Sequence, residues 1–221
     1  MNRPKRILAL LLASILVSAF VAASEDAPAT SRPIGLQDIL GWKSIGGASL
    51  SMDGEWLIYR LSPQEGESEV VIRRTKADME YRFPIGLASG SAFPSAQAVS
   101  ADSKWAAFLT YPSSKETKAL QKGRKAIMSN ISLVDLATGE KTDFGRVKGF
   151  AFSGERTGFI ALHFYPSEGR DKENDTWSGS DLILRDLAKG TELSLGNVTE
   201  YAFDKKGTYL AYLIDARGMV G

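Results

Sequence analysis

Chemistry in a chain of 221 residues with one histidine and no cysteine has few places to sit. His163 lies between Leu162 and Phe164 in a hydrophobic run, so it reads as a half-buried strand histidine and not as the general base of a Ser-His-Asp set. Serines are plentiful, but none stands in a Gly-x-Ser-x-Gly elbow. Gly47-Ala48-Ser49-Leu50-Ser51 and Trp177-Ser178-Gly179-Ser180-Asp181 both fail at the glycines, and the elbow matters because its strained turn exposes the nucleophile. Asp171-Lys172-Glu173-Asn174-Asp175-Thr176-Trp177 alternates oxygen donors, yet a calcium loop needs Gly at its sixth position and Glu at its twelfth. Those positions are Thr176 and Leu182, so an acidic solvated loop is expected. Without sulfur ligands and with one imidazole, the chain offers no zinc or copper set. The expectation is no catalytic, cofactor-binding or metal-ligating residue, and no cofactor.

What the chain does repeat is structural. Leu50-Ser51-Met52-Asp53-Gly54-Glu55-Trp56-Leu57-Ile58-Tyr59 has counterparts in Val99 to Phe108, Phe152 to Ala161 and Phe203 to Tyr212. The anchors Ser51, Ser100, Ser153 and Asp204 fall 49, 53 and 51 residues apart. Units of 40 to 50 residues made of short strands and turns are the signature of β-propeller blades, which bury their faces only against neighbours. Trp56 to Arg60, Trp105 to Tyr111, Phe159 to Tyr165 and Tyr209 to Ile214 read as central strands, each too short for an ordinary helix. Their aromatics, Trp105 among them, are expected to be buried. Asp53-Gly54 suits a tight turn, with Asp102-Ser103 and Lys206-Gly207 at the equivalent place.

Outer hairpins follow. Leu133-Val134-Asp135-Leu136-Ala137-Thr138-Gly139 and Leu184-Arg185-Asp186-Leu187-Ala188-Lys189-Gly190 match at five of seven positions, 51 residues apart. In the first blade the outer pair is Glu69 to Arg74 and Tyr81 to Ile85, turning at Ala77-Asp78. Loops of unequal length, Ser62 to Ser68, Ser113 to Ile127 and Ser167 to Ser180, precede these hairpins and supply variable surface. The fourth copy has only its inner two strands before Gly221. The fold class is therefore all-β, with three complete blades and a fourth half complete, a truncated propeller spanning 39–221.

The amino terminus has a different character. Arg3, Lys5 and Arg6 precede an uncharged apolar run from Ile7 to Ala23 that closes on Val21-Ala22-Ala23. That order reads as a secretory signal peptide over 1–23, with a small, polar, disordered lead-in over 24–38. A membrane anchor needs about 20 apolar residues, so no membrane partner is expected after cleavage. Removing the leader's three cations takes 27 basic against 26 acidic residues to 24 against 26, a net charge of −2. Lys115, Lys118, Lys122, Arg124 and Lys125 form a basic cluster, but Glu116 interrupts it and no aromatic is interleaved. Nucleic acid is excluded as a partner on both grounds. An exported chain without cysteine must take its stability from an apolar core.

Trp42-Lys43-Ser44-Ile45 followed by the Leu50 to Tyr59 motif resembles the opening of the amino-terminal propeller of prolyl-oligopeptidase-like serine peptidases, of the acylaminoacyl- and dipeptidyl-peptidase kind. The similarity runs from about Ile39 to Gly221. It implies an exported, periplasmic or extracellular propeller that restricts access to a separate α/β-hydrolase domain, where that family keeps its serine, aspartate and histidine. None of those catalytic residues maps onto a position here. The alternative is a non-enzymatic exported propeller that binds a peptide or protein through its blade loops or an open strand edge. Asn130, Asn174 and Asn197 begin Asn-x-Ser/Thr triplets, which matter only in a glycosylating pathway.

Export should leave a product beginning at Ser24. Amino-terminal sequencing of the protein recovered from the periplasm or medium checks this, and a product that keeps Met1 contradicts it.

Overall fold

The structure, a computed structural model, describes residues 32–87, 96–156, 158–167 and 179–216. The leader, and the lead-in up to residue 31, lie outside the described residues. The chain divides into one unit ending at Ile39 and another beginning at Leu40. In the first, Arg32 pairs with Asp38, whose carboxylate also accepts the Gly35 N–H at 2.8 Å. These contacts start a short helix, α1 (Leu36–Leu40), which occupies the last three positions of the expected lead-in.

The second unit is built from antiparallel meanders. β1 (Lys43–Leu50), β2 (Trp56–Pro63), β3 (Ser68–Arg74) and β4 (Glu80–Gly86) pair in that order. β5 (Gln97–Val99), β6 (Trp105–Thr110), β7 (Asn130–Asp135) and β8 (Lys141–Phe144) do the same. The third sheet has five strands: β9 (Val147–Phe152), β10 (Phe159–Phe164), β11 (Ser180–Asp186), β12 (Glu192–Phe203) and β13 (Leu210–Ile214). These are propeller blades, as the repeat predicts, and the motif segments form the second strand of each.

β12 serves two blades. Its first half pairs with β11, from Arg185↔Glu192 to Ser180↔Val198, and its second half with β13, from Val198↔Ile214 to Phe203↔Leu210. The outer strand of the third blade thus continues without interruption into the inner strand of the half blade. Asn197, in the left-handed region at φ 57, and a register shift between Val198 and Glu200 provide the bend.

Each motif turn is closed by its anchor side chain. Ser51 Oγ accepts the Trp56 N–H at 2.9 Å and donates to Asp53 Oδ1 at 2.6 Å. Ser100 repeats this with Trp105 at 3.0 Å and Asp102 at 2.6 Å. Ser153 Oγ takes the Phe159 N–H at 3.1 Å, and Asp204 Oδ1 takes that of Tyr209 at 2.7 Å. Gly54, Ser103 and Gly207 occupy the left-handed region at the equivalent turn position, as the sequence predicts. At Gly207 the freedom from a side chain is required twice over, since a Cβ would lie 1.7 Å from the Ser153 carbonyl oxygen of the preceding blade's turn.

Strand alternation directs two faces of every blade. Trp56 and Ile58 meet Ala106, Phe108, Val134 and Leu136 of the second blade. Ala107 and Leu109, on the opposite face of β6, meet Phe150, Ile160 and Leu162 of the third. Ala161, Leu182 and Val198 pack with Tyr201, Phe203 and Leu210. The motif aromatics do not all follow the expectation of burial. Trp56 is 4% exposed, Trp105 is half-buried, Phe159 is 40% exposed and Tyr209 is 75% exposed. The reason is positional: each projects toward the next blade, and the cover thins from the first interface to the face of β13.

This ordering fixes the cost of removing each ring. Trp56→Ala should lose about 3 to 5 kcal/mol, whereas Tyr209→Ala should stay within about 0.5 kcal/mol. Urea unfolding of both variants checks the pair, and equal losses would contradict the assigned facing.

Candidate functional site

β2, β6 and β10 each start from a motif turn, so their carboxyl ends lie at the opposite rim, and the long insertions leave from it. β2 ends on Pro63, and Pro112 and Pro166 follow the ends of β6 and β10 by two residues; a proline cannot donate to a ladder and so releases the chain. Tyr111 and Tyr165 precede the second and third of these.

The second insertion folds into a helix, α2 (Ser114–Lys122), closed by a capping box. Ser113 Oγ accepts the Glu116 N–H at 3.3 Å, while Glu116 Oε2 accepts the Ser113 N–H at 2.8 Å. The basic cluster of the sequence thus falls on this helix and its carboxyl end. Glu67, from the first blade's insertion, accepts the Ser114 N–H at 2.8 Å and ties the two loops together. Gly86, at φ 69, lets the strand ends meet: a Cβ there would lie 2.1 Å from the Tyr111 carbonyl oxygen. Between α2 and the blade lies a cleft of about 400 Å³ lined by Tyr111, Pro112, Glu116, Ala119, Leu120 and Asn130. Burial pushes the Tyr111 hydroxyl upward, Tyr165 adds to this and Arg60 opposes it. Tyr165 in turn meets Ser129 Oγ at 3.1 Å, and that hydroxyl donates to the Val147 carbonyl at 2.7 Å.

His163 sits on the same rim, 6% exposed, edge-on to Tyr201. Its Nε2 lies 3.0 Å from the Val198 carbonyl oxygen and 3.1 Å from Ser180 Oγ. A carbonyl only accepts, so Nε2 carries a proton. Ser180 Oγ donates to the Phe164 carbonyl at 2.7 Å and accepts from Lys148 Nζ at 3.0 Å. The serine is therefore an acceptor toward the histidine, and the pair cannot act as nucleophile and base. The strand histidine of the sequence is more deeply buried than expected. Burial likewise raises the Tyr201 hydroxyl to about 12 and lowers the Lys148 ammonium.

Among the described residues no group of three or more acidic, histidine or cysteine side chains gathers. The Asp171 to Trp177 segment lies outside the described residues, as does Asn174. Asn130 Oδ1 accepts the Arg146 N–H at 2.9 Å, so that amide is committed to the fold. Among the described residues no helix is long and apolar enough to cross a membrane.

Sequence reading missed the Tyr-Pro pair and the capping box. The pair and the box were visible as spacings, Tyr111-Pro112 against Tyr165-Pro166 and Ser113 against Glu116.

The sequence matches no protein-family model and no curated relative. Solved structures similar to the chain include the β-propeller domain of the trilobed protease from Pyrococcus furiosus, at 14% identity and a TM-score of 0.45 over 70% of this chain and 43% of that one. One of two prolyl endopeptidases analysed for inter-domain dynamics gives 14% identity and 0.49, over 78% and 26%. The acylaminoacyl peptidase of Pyrococcus horikoshii gives 12% and 0.42, over 70% and 25%. The chain thus spans less than half the length of each. At these values the blade architecture rests on the chain's own sheets and registers.

The histidine supplies a pH test. Burial, with Lys148 adding and the Val198 carbonyl opposing, holds His163 below its ordinary value. The unfolded chain then takes up the proton first, so stability is present above the unfolded value, about 6.5, and is lost as pH falls below it. The melting temperature of the natural chain should fall between about pH 7.5 and pH 5.5, and that of His163→Gln should fall less. Parallel profiles would contradict the buried, neutral histidine.

Proposed function

We propose that the chain is the substrate-gating propeller portion of an exported serine peptidase of the prolyl-oligopeptidase-like class, whose hydrolase domain lies outside it. The observation that carries this reading is the face of the half blade. Tyr209 and Leu213 project where Trp56 and Arg60, or Trp105 and Leu109, meet a following blade, and both are well exposed. Such a face calls for further blades. The Trp42 opening, the blade repeat and the leader fit an exported peptidase propeller. In this reading the insertion-bearing rim, with its cleft beside α2, faces the peptide.

A second reading, a non-enzymatic propeller that binds a peptide through the same rim, is favoured by that cleft alone.

The native product decides between them. An antibody to this chain should detect in exported fractions a species larger than 24.0 kDa that a serine-directed fluorophosphonate labels. A native product no larger than this chain and unlabelled would overturn the peptidase reading and leave the binding one.

A further inference from the structure

We propose that the cleft beside α2 takes an extended peptide in which acidic and apolar side chains alternate, with the acids lying along a lysine stripe on the helix. The proposal rests on the reading that the insertion-bearing rim faces a peptide, and narrows it to one class of sequence. Lys115, Lys118 and Lys122 stand at the spacing that gathers side chains on one face of a helix, and Arg124 and Lys125 follow its carboxyl end. All five are exposed, and none takes part in an ion pair among the described residues. The acids beside the helix are committed at its amino end. Glu116 Oε2 accepts the N–H and the hydroxyl of Ser113, each at 2.8 Å, and Glu67 accepts the Ser114 N–H. Five cations against the single anion Glu116 leave 114–125 at +4.

The stripe borders the cleft. Ala119 lines the cleft, and its neighbours on the helix surface are Lys115, four residues before it, and Lys122, three after. Leu120 and Pro112 supply apolar lining, and Tyr111 adds a phenol that burial keeps neutral. Glu116 also lines the cleft, and its hydrogen bonds to the Ser113 N–H and hydroxyl hold its carboxyl below the ordinary value, so it is ionised. An anion is therefore repelled inside the cleft and attracted beside it, on the stripe. That division selects a ligand with two unlike sides. Lys115 and Lys122 are about 10 Å apart along the helix axis, at about 1.5 Å per residue. In an extended peptide every second side chain points the same way, at intervals of about 6.6 Å. Two or three acids at alternate positions cover the stripe, while the residues between them turn toward Leu120 and Pro112.

The probe is acetyl-Glu-Leu-Glu-Leu-Glu-amide, titrated calorimetrically into the purified chain at about 50 mM salt. Its controls are the same peptide with glutamine for glutamate, and acetyl-Glu-Glu-Glu-Leu-Leu-amide, which keeps the charge and loses the alternation. The alternating glutamyl peptide should bind about tenfold more tightly than the glutaminyl one, because each exposed pair contributes only modestly. Salt at about 0.5 M should remove most of that advantage, and the block peptide should bind more weakly than the alternating one. The combined variant Lys115→Gln, Lys118→Gln, Lys122→Gln, whose melting temperature should be unchanged, should bind the glutamyl and glutaminyl peptides alike. Ala119→Glu, between stripe and cleft, should weaken the glutamyl peptide and spare the glutaminyl one. The proposal is overturned if the two alternating peptides bind the natural chain equally, if salt has no effect, or if either variant keeps the natural preference. It is also overturned if vesicles containing phosphatidylglycerol capture the natural chain while the peptide does not bind, which would assign the stripe to a membrane surface. A fluorophosphonate-labelled native product without a glutamyl preference refutes this proposal and leaves the peptidase reading standing; an unlabelled product with that preference does the reverse.

Discussion

A single oxygen at the start of each motif holds the repeat together. Ser51, Ser100, Ser153 and Asp204 all turn a side-chain oxygen back to accept the N–H of the aromatic that opens the next strand, and their own N–H bonds that residue's carbonyl. The two bonds fix where the second strand begins. Because side chains alternate with a period of two, that origin also fixes which residues face forward and which face back. A slip of one residue would present Leu57 and Tyr59 to the second blade in place of Trp56 and Ile58. The three serines are themselves buried, so the hydroxyl is shielded from competing water and the bond holds the register firmly.

From that origin the blade interfaces follow position by position. The first buries its motif aromatic most deeply, with Trp56 stacked on Tyr81 of its own blade at 5.9 Å and Phe83 reaching across to Phe108 at 5.4 Å. The second gathers Phe150, Phe152 and Phe164 around Ala107 and Leu109, yet Trp105 keeps part of its surface exposed. The third is finished by the half blade, whose two strands cover Ala161 and His163 but leave Phe159 partly open. Burial of the motif aromatic therefore reflects what the following blade places against it, and not only whether that blade is complete.

Much of this was readable in advance because the repeat is written in residues that do local work. Asp135 and Asp186 each hold the N–H groups two and three residues on, and Gly139 and Gly190 take the left-handed conformation that closes the turn. Those needs are satisfied within four or five residues, so they leave a mark in sequence. Interfaces leave a weaker one. Trp105 carries the same motif position as Trp56, and its half-buried state depends on what the third blade offers, some fifty residues away. The continuity of β12 was hidden for the same reason: Gly196-Asn197 reads as a turn, yet Asn197 only bends a strand that finds partners on both sides. The half-burial of Arg60, whose Nε is cut off from solvent, carried no local signal either, since a charged residue near a strand end looks solvated.

The contrast between the two rims explains where function can reside. At the rim of the motif turns every short loop is committed, by serine, aspartate and glycine, to closing strands. At the opposite rim the ladders end at prolines and the loops vary from a few residues to a capped helix. Variation there costs little, because the register is already set from the other side. The same freedom extends one layer inward. Positions 60, 109 and 163 are equivalent, and hold arginine, leucine and histidine. A repeat that tolerates three chemistries at one interface position, half-buried at Arg60 and buried at Leu109 and His163, has its stability fixed elsewhere, at the anchors and the apolar rows beside them. That leaves this layer, at the end of each interface nearest the long loops, as the place where a polar group can be held in a dry setting without disturbing the blades.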